Sequence, residues 1–433
     1  MILLAFPEGI AAVGVAFVAS GIVAAVIRQR AGEDNDFLIK LFLLALLVRL
    51  VFGLFVHTFK LNEYLGGDAL TYDHLGQTLV EIWNGQAIQE NFWTQRAQSM
   101  SGPGWGMNYL TGIIYYLIGR NILAAQSFCA VIGAATVPMV YVCAYKIYNN
   151  RRVGKISALL VALFPAFIIW SSQLLKDGLV IFLLVLAMTI VLQLQEKFSY
   201  WAVALLIFSL FGILSLRFYI FYMAAMAVVG AFVVGLGKSS RAILRNIVAL
   251  VALGAGLTYL GVLRNAGEDI EKYGSLETIQ QSRSDLAGRA ESGYGADLDV
   301  STTEGALVAL PIGFTYLMLA PFPWQVTNLR QALALPEVLL WWASIPLMIV
   351  GIWYTIKNRL RRAIPILIFT LMLTLAYSLF QGNVGTAYRQ RTQIQVFLFI
   401  FIGVGWTIRR EKYENRQQIY QMRRRRLQPT GLS

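Results

Sequence analysis

The chain has 433 residues, of which 57% are hydrophobic and only 14% are charged. Soluble domains carry about 25% charged residues, so this composition excludes an ordinary soluble protein. The net charge of +13 does not indicate nucleic-acid binding, because the Lys and Arg residues cluster at the ends of apolar stretches, where they set membrane topology.

Apolar stretches long enough to cross a bilayer recur along nearly the whole chain, which predicts an all-α polytopic membrane protein. Eleven transmembrane helices are predicted near residues 8–27, 37–57, 121–144, 155–172, 177–194, 199–216, 218–236, 246–263, 338–356, 363–381 and 394–408. The first stretch has no basic segment before it, so we interpret it as a retained span. Two shorter stretches, 107–118 and 305–320, could be interfacial or re-entrant helices or short spans, which would raise the total to between 11 and 13.

Basic residues fall in alternate connections, which predicts the orientation. The basic connections hold Arg28, Arg30 and Lys40; Lys146, Arg151, Arg152 and Lys155; Lys238, Arg241 and Arg245; and Lys357, Arg359, Arg361 and Arg362. If the two short stretches do not cross, all of these connections lie on one side, which the positive-inside rule assigns to the cytoplasm.

The long loops 58–120 and 264–337 then face outward, with the N-terminus outside and the C-terminus inside. We therefore expect one transmembrane domain over residues 1–408, and a basic cytoplasmic tail over 409–433 that contains Arg423–Arg426. Amphipathic helices beside the membrane are expected in the first long loop. The expected location is the inner (plasma) membrane of a prokaryotic cell.

Charged residues gather on the predicted outer side. The candidates are Asp68, Tyr72 and Asp73 in the first loop, Lys176 and Asp177 in the next outward turn, Arg217 in the turn after that, Tyr388, Arg389 and Arg391 before the last span, and Arg49 inside the second span. A carboxylate can act as a general base, and guanidinium and ammonium groups can bind a phosphate. We therefore assign Asp68 and Asp177 as candidate catalytic residues and the others as candidate substrate- or phosphate-binding residues.

Several candidates have a structural alternative. Asp177 could cap the helix that follows it, and Lys176 and Arg217 could anchor span ends by snorkelling. Arg49 is harder to explain in this way, because a charge well inside a span is costly and usually faces a partner or a cavity. The two histidines, His57 and His74, do not have the spacing of a histidine-based metal site.

The order of motifs from Asp68 to about residue 195 supplies a further prediction. Asp68 is followed by Tyr72 at plus four and Gly76 at plus eight; a Pro-containing segment then leads into an apolar stretch, as in Gly102–Trp105 and Leu117–Arg120. A span closing in Tyr141–Tyr148 precedes a basic turn, and Phe164–Ala166 leads to Ser171 and Asp177. This order resembles GT-C-fold glycosyltransferases, particularly the family that contains protein O-mannosyltransferases and lipid A aminoarabinose transferases.

The resemblance implies a GT-C-like fold and a polyprenyl-phosphate-linked sugar donor that enters from the outer leaflet. Asp68 would deprotonate the acceptor hydroxyl, and the sugar would be transferred with inversion. Arg217, Lys176, Arg389 or Arg391 would stabilise the departing lipid phosphate. The acceptor would be a glycan, a lipid or a protein; membrane lipids are further expected partners, and nucleic acid is not.

The resemblance also implies a possible metal site. Asp177 would hold a divalent cation, Mg or Mn, or orient the acceptor, and Asp68 is the second candidate ligand. Many relatives have a second acid after the first, whereas this chain has Ala69 there. A metal site that needs both acids is therefore in doubt, and Asp73 is the nearest acid that could compensate.

Two other functions compete. A cell-envelope polysaccharide polymerase or ligase would depend on outer-face arginines rather than on Asp68. A transporter or flippase for lipid-linked sugars would favour internal repeats and intramembrane acids, and the sequence shows neither pattern.

Overall fold

The computed structural model describes residues 8–30, 32–86, 90–100, 104–234, 240–262, 275–288, 292–295 and 297–427, with side chains omitted at 66, 240–242 and 419–427. Pro103, Lys238 and Arg264 lie outside the described residues, as do the side chains of Arg241 and of Arg423–Arg426. The described part contains eighteen α-helices and no β-strand, and the prediction of an all-α membrane fold is confirmed.

The helices are numbered here in chain order. They are α1 Gly9–Arg30, α2 Asn35–Thr58, α3 Asn62–Gly66, α4 Asp68–Trp83, α5 Phe92–Gln98, α6 Trp105–Ile118, α7 Ile122–Tyr148, α8 Arg151–Leu163, α9 Pro165–Ser171, α10 Lys176–Glu196, α11 Tyr200–Leu216, α12 Phe218–Val234, α13 Ser240–Tyr259, α14 Leu276–Gly288, α15 Thr303–Leu319, α16 Leu329–Asn358, α17 Leu360–Phe380 and α18 Val384–Leu427.

Each of the eleven predicted spans coincides largely with helical structure over its described residues. Seven helices among the described residues are long and apolar enough to cross a membrane, and the bent pair α8–α9 makes an eighth candidate. Helices α11, α12 and α13 are apolar but shorter. The span predicted at 155–172 is bent by 57° at its break, because Pro165 has no backbone N–H and disfavours a helical conformation at Phe164.

The segment 382–393 is not the outer loop that the sequence predicted. Helix α18 begins at Val384 and runs without a break to Leu427. The Asn383 side chain accepts hydrogen bonds from the backbone N–H groups of Gly385 (2.8 Å) and Thr386 (3.3 Å), which caps the helix at its start. The polar residues that looked like a loop therefore lie in the first turns of the last helix.

Asp68 is likewise not in an irregular loop, because it is the first residue of α4. The first long loop is mostly helical, as expected, and α4 and α6 cross closely. A Cβ at Gly76 would lie 2.6 Å from the Thr111 side chain, and one at Gly106 would lie 2.3 Å from Ser215. Two glycines thus let these short helices pack against each other and against α11.

The stretch 305–320, left ambiguous by its sequence, forms α15. Ala309, in the first half of α15, packs in a cluster with Leu379 near the end of α17, while the carbonyl of Met318 near the end of α15 accepts a hydrogen bond from Arg391 in α18. The second half of α15 therefore contacts the part of the bundle where α17 ends and α18 begins.

The bundle has two chemically different ends. At the end called here the basic end, Arg152 pairs with Glu414 at 2.9 Å and Arg362 donates to the Lys146 carbonyl at 3.4 Å. At the opposite end, called the site end, α10 begins, α11 meets α12 at Arg217, and α18 begins.

Candidate active site

Four charged side chains from four distant parts of the chain meet at the site end. Asp177 is fully buried, and its Oδ1 accepts a hydrogen bond from Arg217 Nη2 at 2.7 Å. Its Oδ2 accepts from Arg389 Nη2 at 2.5 Å and Nε at 2.9 Å. Arg389 also donates through Nη1 to Asp68 Oδ2 at 3.1 Å. We call Asp68, Asp177, Arg217 and Arg389 the ion cluster.

The two acids of the ion cluster have different environments. The Asp177 side chain is inaccessible to solvent, whereas the Asp68 side chain is 50% exposed. Both Asp177 oxygens are bonded to guanidinium groups, so Asp177 neutralises arginines rather than capping α10. Among the described residues, Asp68 bonds to Arg389 through one oxygen, and half of its side chain is exposed to an incoming molecule.

Close helix packing positions Asp177. A Cβ at Gly178 would lie 2.8 Å from the Ser171 Cβ, and a Cβ at Gly133 would lie 2.4 Å from the same atom. Helices α7, α9 and α10 can therefore approach closely only because both positions are glycine. This contact fixes the first turn of α10, which carries Lys176 and Asp177.

Arg217 sits in an extended conformation (φ −152°, ψ 90°) at the break between α11 and α12. Its side chain is only 6% exposed, so it points into the bundle instead of snorkelling to the surface. Besides Asp177, it donates to Tyr219 Oη at 2.9 Å. The helix break therefore delivers a buried cation to the ion cluster.

Lys176 lies beside the ion cluster and has no acidic partner in the part of the chain that the structure describes. Among the described residues it forms no ion pair, and its Nζ lies 6.0 Å from the centroid of the Tyr72 ring. A Cβ at Gly104 would lie 3.0 Å from Lys176 Nζ and 3.1 Å from Tyr72 Oη, so the two polar atoms converge on this glycine. Burial, followed by the charge of Asp68, raises the pKa of Tyr72, which therefore remains a protonated donor.

The charges of this site do not cancel. Two carboxylates, Asp68 and Asp177, face two guanidinium groups and the ammonium group of Lys176. The resulting excess of one positive charge, with an ammonium at its edge that is unpaired among the described residues, suits an anionic ligand such as a phosphate.

Asp73 is directed away from the ion cluster. It accepts hydrogen bonds from Tyr115 Oη at 2.6 Å and from Arg120 Nη2 at 2.5 Å. This pairing joins α4 to the end of α6, so the acid that could have compensated for Ala69 has a structural partner instead.

Arg49 also lies apart, as a helix-capping residue. It is buried and donates to the carbonyls of Val161 (3.3 Å) and Ala162 (3.2 Å) and to Ser171 Oγ (2.8 Å). Because Pro165 cannot donate to the Val161 carbonyl, the break between α8 and α9 leaves an acceptor that Arg49 satisfies. The partners of this intramembrane charge are therefore the backbone carbonyl groups that the helix break leaves free.

Tyr388 and Arg391 face other neighbours than Arg389 does. Tyr388 Oη donates to Glu337 at 2.7 Å, and Glu337 is a buried acid that the sequence analysis did not single out. Arg391 donates to the carbonyls of Met318 (3.1 Å) and Ala320 (2.9 Å) and so holds the end of α15.

The ion cluster does not fit a divalent cation as it is arranged. Both Asp177 oxygens and one Asp68 oxygen are bonded to guanidinium groups. In the parts of the chain that are described, no three His, Cys, Asp or Glu side chains are placed together to hold a metal. The metal role suggested for Asp68 and Asp177 stays a prediction, which these hydrogen bonds do not favour and which chelation of divalent cations tests.

Further residues of the site were not predicted from the sequence. The Arg389 guanidinium lies 5.2 Å from the centroid of the Trp170 ring, and Tyr377 Oη donates to Gln393 at 2.6 Å. The glutamines of α18 carried a usable signal, because uncharged polar side chains inside an apolar span are costly unless they have partners or a function.

Comparison with known families adds independent information on part of this site. Residues 103–262 match the dolichyl-phosphate-mannose-protein mannosyltransferase family. The match spans somewhat over a third of the chain and includes Lys176, Asp177 and Arg217, while Asp68 and Arg389 lie outside it. The resemblance to GT-C-type transferases is thereby confirmed, and the match indicates a membrane glycosyltransferase. No curated protein matches the chain.

Proposed function

We propose that the chain is a membrane glycosyltransferase that moves a sugar from a polyprenyl-phosphate-linked donor to an acceptor hydroxyl at the outer face of the membrane. The family match supports the donor class, because the family's name describes transfer from a lipid-phosphate sugar. The observation that carries the proposal is the bridge through Arg389, which joins the exposed acid Asp68 to the buried acid Asp177.

Asp68 is the general base in this proposal. It is the accessible acid of the ion cluster, and one of its oxygens can receive a proton from the acceptor. General-base assistance of this kind contributes about 10²–10⁴-fold to the rate. Asp177 has both oxygens bonded, so its role is to hold Arg217 and Arg389 in position.

The cations of the site bind the donor phosphate. Lys176 has no acidic partner to displace among the described residues, so it can contact a phosphate oxygen directly, with the Tyr72 hydroxyl donating next to it at Gly104. Arg389 can exchange Asp68 for the phosphate while it keeps Asp177. The exchange would release Asp68 as a base only when the donor is bound.

The reaction proceeds by inversion in this scheme. The acceptor oxygen loses its proton to Asp68 as it forms a bond to the anomeric carbon of the sugar. The bond from that carbon to the phosphate oxygen breaks, and its electron pair leaves with the lipid phosphate. Lys176 and Arg389 stabilise the negative charge that develops there.

The charge distribution supports the outer face. Basic residues gather at the end of the bundle opposite to the ion cluster, and the positive-inside rule assigns that end to the cytoplasm. The ion cluster then faces the outside of the inner membrane, with the N-terminus outside and the C-terminus in the cytoplasm.

The test is a transfer assay with purified protein and a panel of polyprenyl-phosphate sugars. The wild-type protein should transfer one of them to an acceptor, and Asp68→Asn should lose transfer while it still binds the donor. Absence of transfer from every donor would overturn the proposal.

A polysaccharide polymerase or ligase remains a second candidate, because two of the three site cations are arginines, of which Arg217 is buried and Arg389 is 16% exposed. It predicts that Arg217→Ala abolishes product formation while Asp68→Asn does not. The same two variants in one assay therefore separate the two functions.

A further inference from the structure

A row of uncharged polar side chains continues from the ion cluster into the bundle. Tyr377 Oη donates to Gln393 Oε1 at 2.6 Å, and Gln381 Nε2 donates to Gln390 Oε1. Tyr219, which accepts from Arg217, has its ring centroid 6.2 Å from that of Tyr377. These five residues, Tyr219, Tyr377, Gln381, Gln390 and Gln393, are called here the glutamine tract.

The glutamine tract contains buried polar atoms without a protein partner. Gln381 and Gln393 are fully buried, yet Gln381 Oε1 and Gln393 Nε2 have no hydrogen-bond partner among the described residues. Leaving such atoms unpaired in an apolar interior costs about 1–3 kcal/mol each. They therefore suit a molecule that brings both donors and acceptors.

The tract lies where a group attached to the phosphate would extend. Gln393 follows Arg389 by four residues in α18, so both side chains lie on the same face, about 6 Å apart along the axis. Arg217 connects Asp177 directly to Tyr219 at the other side of the tract. The tract thus begins beside the ion cluster at Gln390 and extends about one helical turn further along α18 to Gln393.

The chemistry of the tract matches a sugar rather than a phosphate. Amide and phenol groups offer donors and acceptors in fixed directions but no charge. Hydroxyl groups of a sugar can bond to both kinds of atom, whereas an anion would meet acceptor oxygens as well as donors.

We propose that the glutamine tract binds the hydroxyl groups of the donor's sugar and determines which sugar is accepted. This inference rests on the proposed function, and it assigns specificity to residues that take no part in the proton transfer or in phosphate binding. Gln393 is the central residue, because it joins the Arg389 face of α18 to Tyr377.

The test compares binding and transfer for lipid-phosphate donors whose sugars differ at one hydroxyl. The variants are Gln393→Leu, which keeps the side-chain size, and Tyr377→Phe, which removes only a hydroxyl group. Gln395→Leu is the matched control, because Gln395 is equally buried in α18 but two positions, or 200° of helix rotation, away from Gln393.

Gln393→Leu and Tyr377→Phe should lower the discrimination between the accepted sugar and its epimers about tenfold or more, as expected when a site loses a partner for a substrate hydroxyl. Binding of sugar-free polyprenyl phosphate should not change, and Gln395→Leu should keep the wild-type discrimination. Unchanged discrimination in the two tract variants, or an equal loss for all donors together with weaker polyprenyl-phosphate binding, would overturn the inference.

The binding measurement separates this inference from the proposed function. The wild-type protein could bind the sugar donor more tightly than sugar-free polyprenyl phosphate, and Gln393→Leu could lose that difference, without any transfer being detected. That result would support the sugar site and refute the transferase function. Transfer that is normal in both tract variants with every donor would refute the sugar site alone.

Discussion

Arg389 donates a hydrogen bond to Asp68 at 3.1 Å across 321 positions of sequence. The contact joins the first turn of α4 to α18, and the other side of the same guanidinium group holds Asp177. The exposed acid is thus connected to the buried core of the bundle through one side chain. Its position depends on how α18 is held.

Asp177→Asn should destabilise the protein strongly. The substitution leaves Arg217 buried without its counter-charge and leaves Arg389 with only the half-exposed Asp68. Breaking a buried ion pair on one side costs about 3–5 kcal/mol. Thermal unfolding in detergent should show a clearly lowered midpoint. Asp68→Asn is the matched comparison and should unfold close to the wild-type temperature, because its carboxylate is half exposed.

Lys176→Gln should raise the KM for the lipid-phosphate donor more than it lowers kcat. The substitution removes the site cation that has no acidic partner among the described residues, and Lys176→Arg should restore part of the binding. Steady-state kinetics over a range of donor concentrations measures both values. An unchanged KM in Lys176→Gln would show that the phosphate binds elsewhere.

Gly104→Ala should reduce donor binding for a steric reason. The new Cβ would lie about 3 Å from both Lys176 Nζ and Tyr72 Oη, and the backbone φ of +83° is unfavourable for alanine. Because Gly104 has no side chain to lose, an effect on the donor KM would locate the ligand at the Lys176–Tyr72 junction. Normal donor binding in this variant would place the ligand away from it.

Arg283→Ala should lower both stability and transfer, although Arg283 lies outside the ion cluster. Its Nη1 donates to the carbonyls of Leu379 (3.0 Å) and Gln381 (2.8 Å). Nearby, Tyr294 N–H donates to the Gly382 carbonyl at 2.8 Å, so the second long loop is fastened to the start of α18. Hydrogen bonds from a charged group contribute about 1.5–3 kcal/mol each.

The readouts for Arg283→Ala are the unfolding midpoint and kcat at saturating donor. Both should fall if these hydrogen bonds between the second long loop and the start of α18 set the position of Arg389. A lowered midpoint with unchanged kcat would mean that α18 holds Arg389 without the second loop.

Removal of divalent cations should leave transfer largely intact. The guanidinium groups of Arg217 and Arg389 already neutralise the acids that could hold a metal. The assay compares protein treated with EDTA with the same protein after Mg or Mn is added back. Activity that disappears with EDTA and returns with either metal would contradict this arrangement.

The sequence predicted the members of the ion cluster because charges in an apolar chain are conspicuous and costly. It could not separate them from their neighbours. Asp73 and Arg391 have the right chemistry, but five residues along α4 and two along α18 rotate a side chain by about 140° and 200°. Direction on a helix is decided by packing, so Asp73 meets Arg120 and Arg391 meets the end of α15.

The sequence pattern also could not predict that the segment before the last span is helical. Residues 384–393 are polar because their side chains meet other polar groups inside the bundle, whereas a polar stretch beside a span usually indicates a loop. The Ser292 hydroxyl donates a hydrogen bond to Asn383 at 2.9 Å. This contact links the second long loop to the start of α18, which no local sequence pattern connects.

The most direct test of the general-base assignment compares kcat for Asp68→Asn and Asp73→Asn in one assay with a polyprenyl-phosphate sugar. Both variants remove one acid from α4, but only Asp68 contacts Arg389. The account predicts that Asp68→Asn loses about 10²–10⁴-fold in kcat with donor binding retained, while Asp73→Asn keeps most of its activity. Near-normal turnover by Asp68→Asn would contradict it.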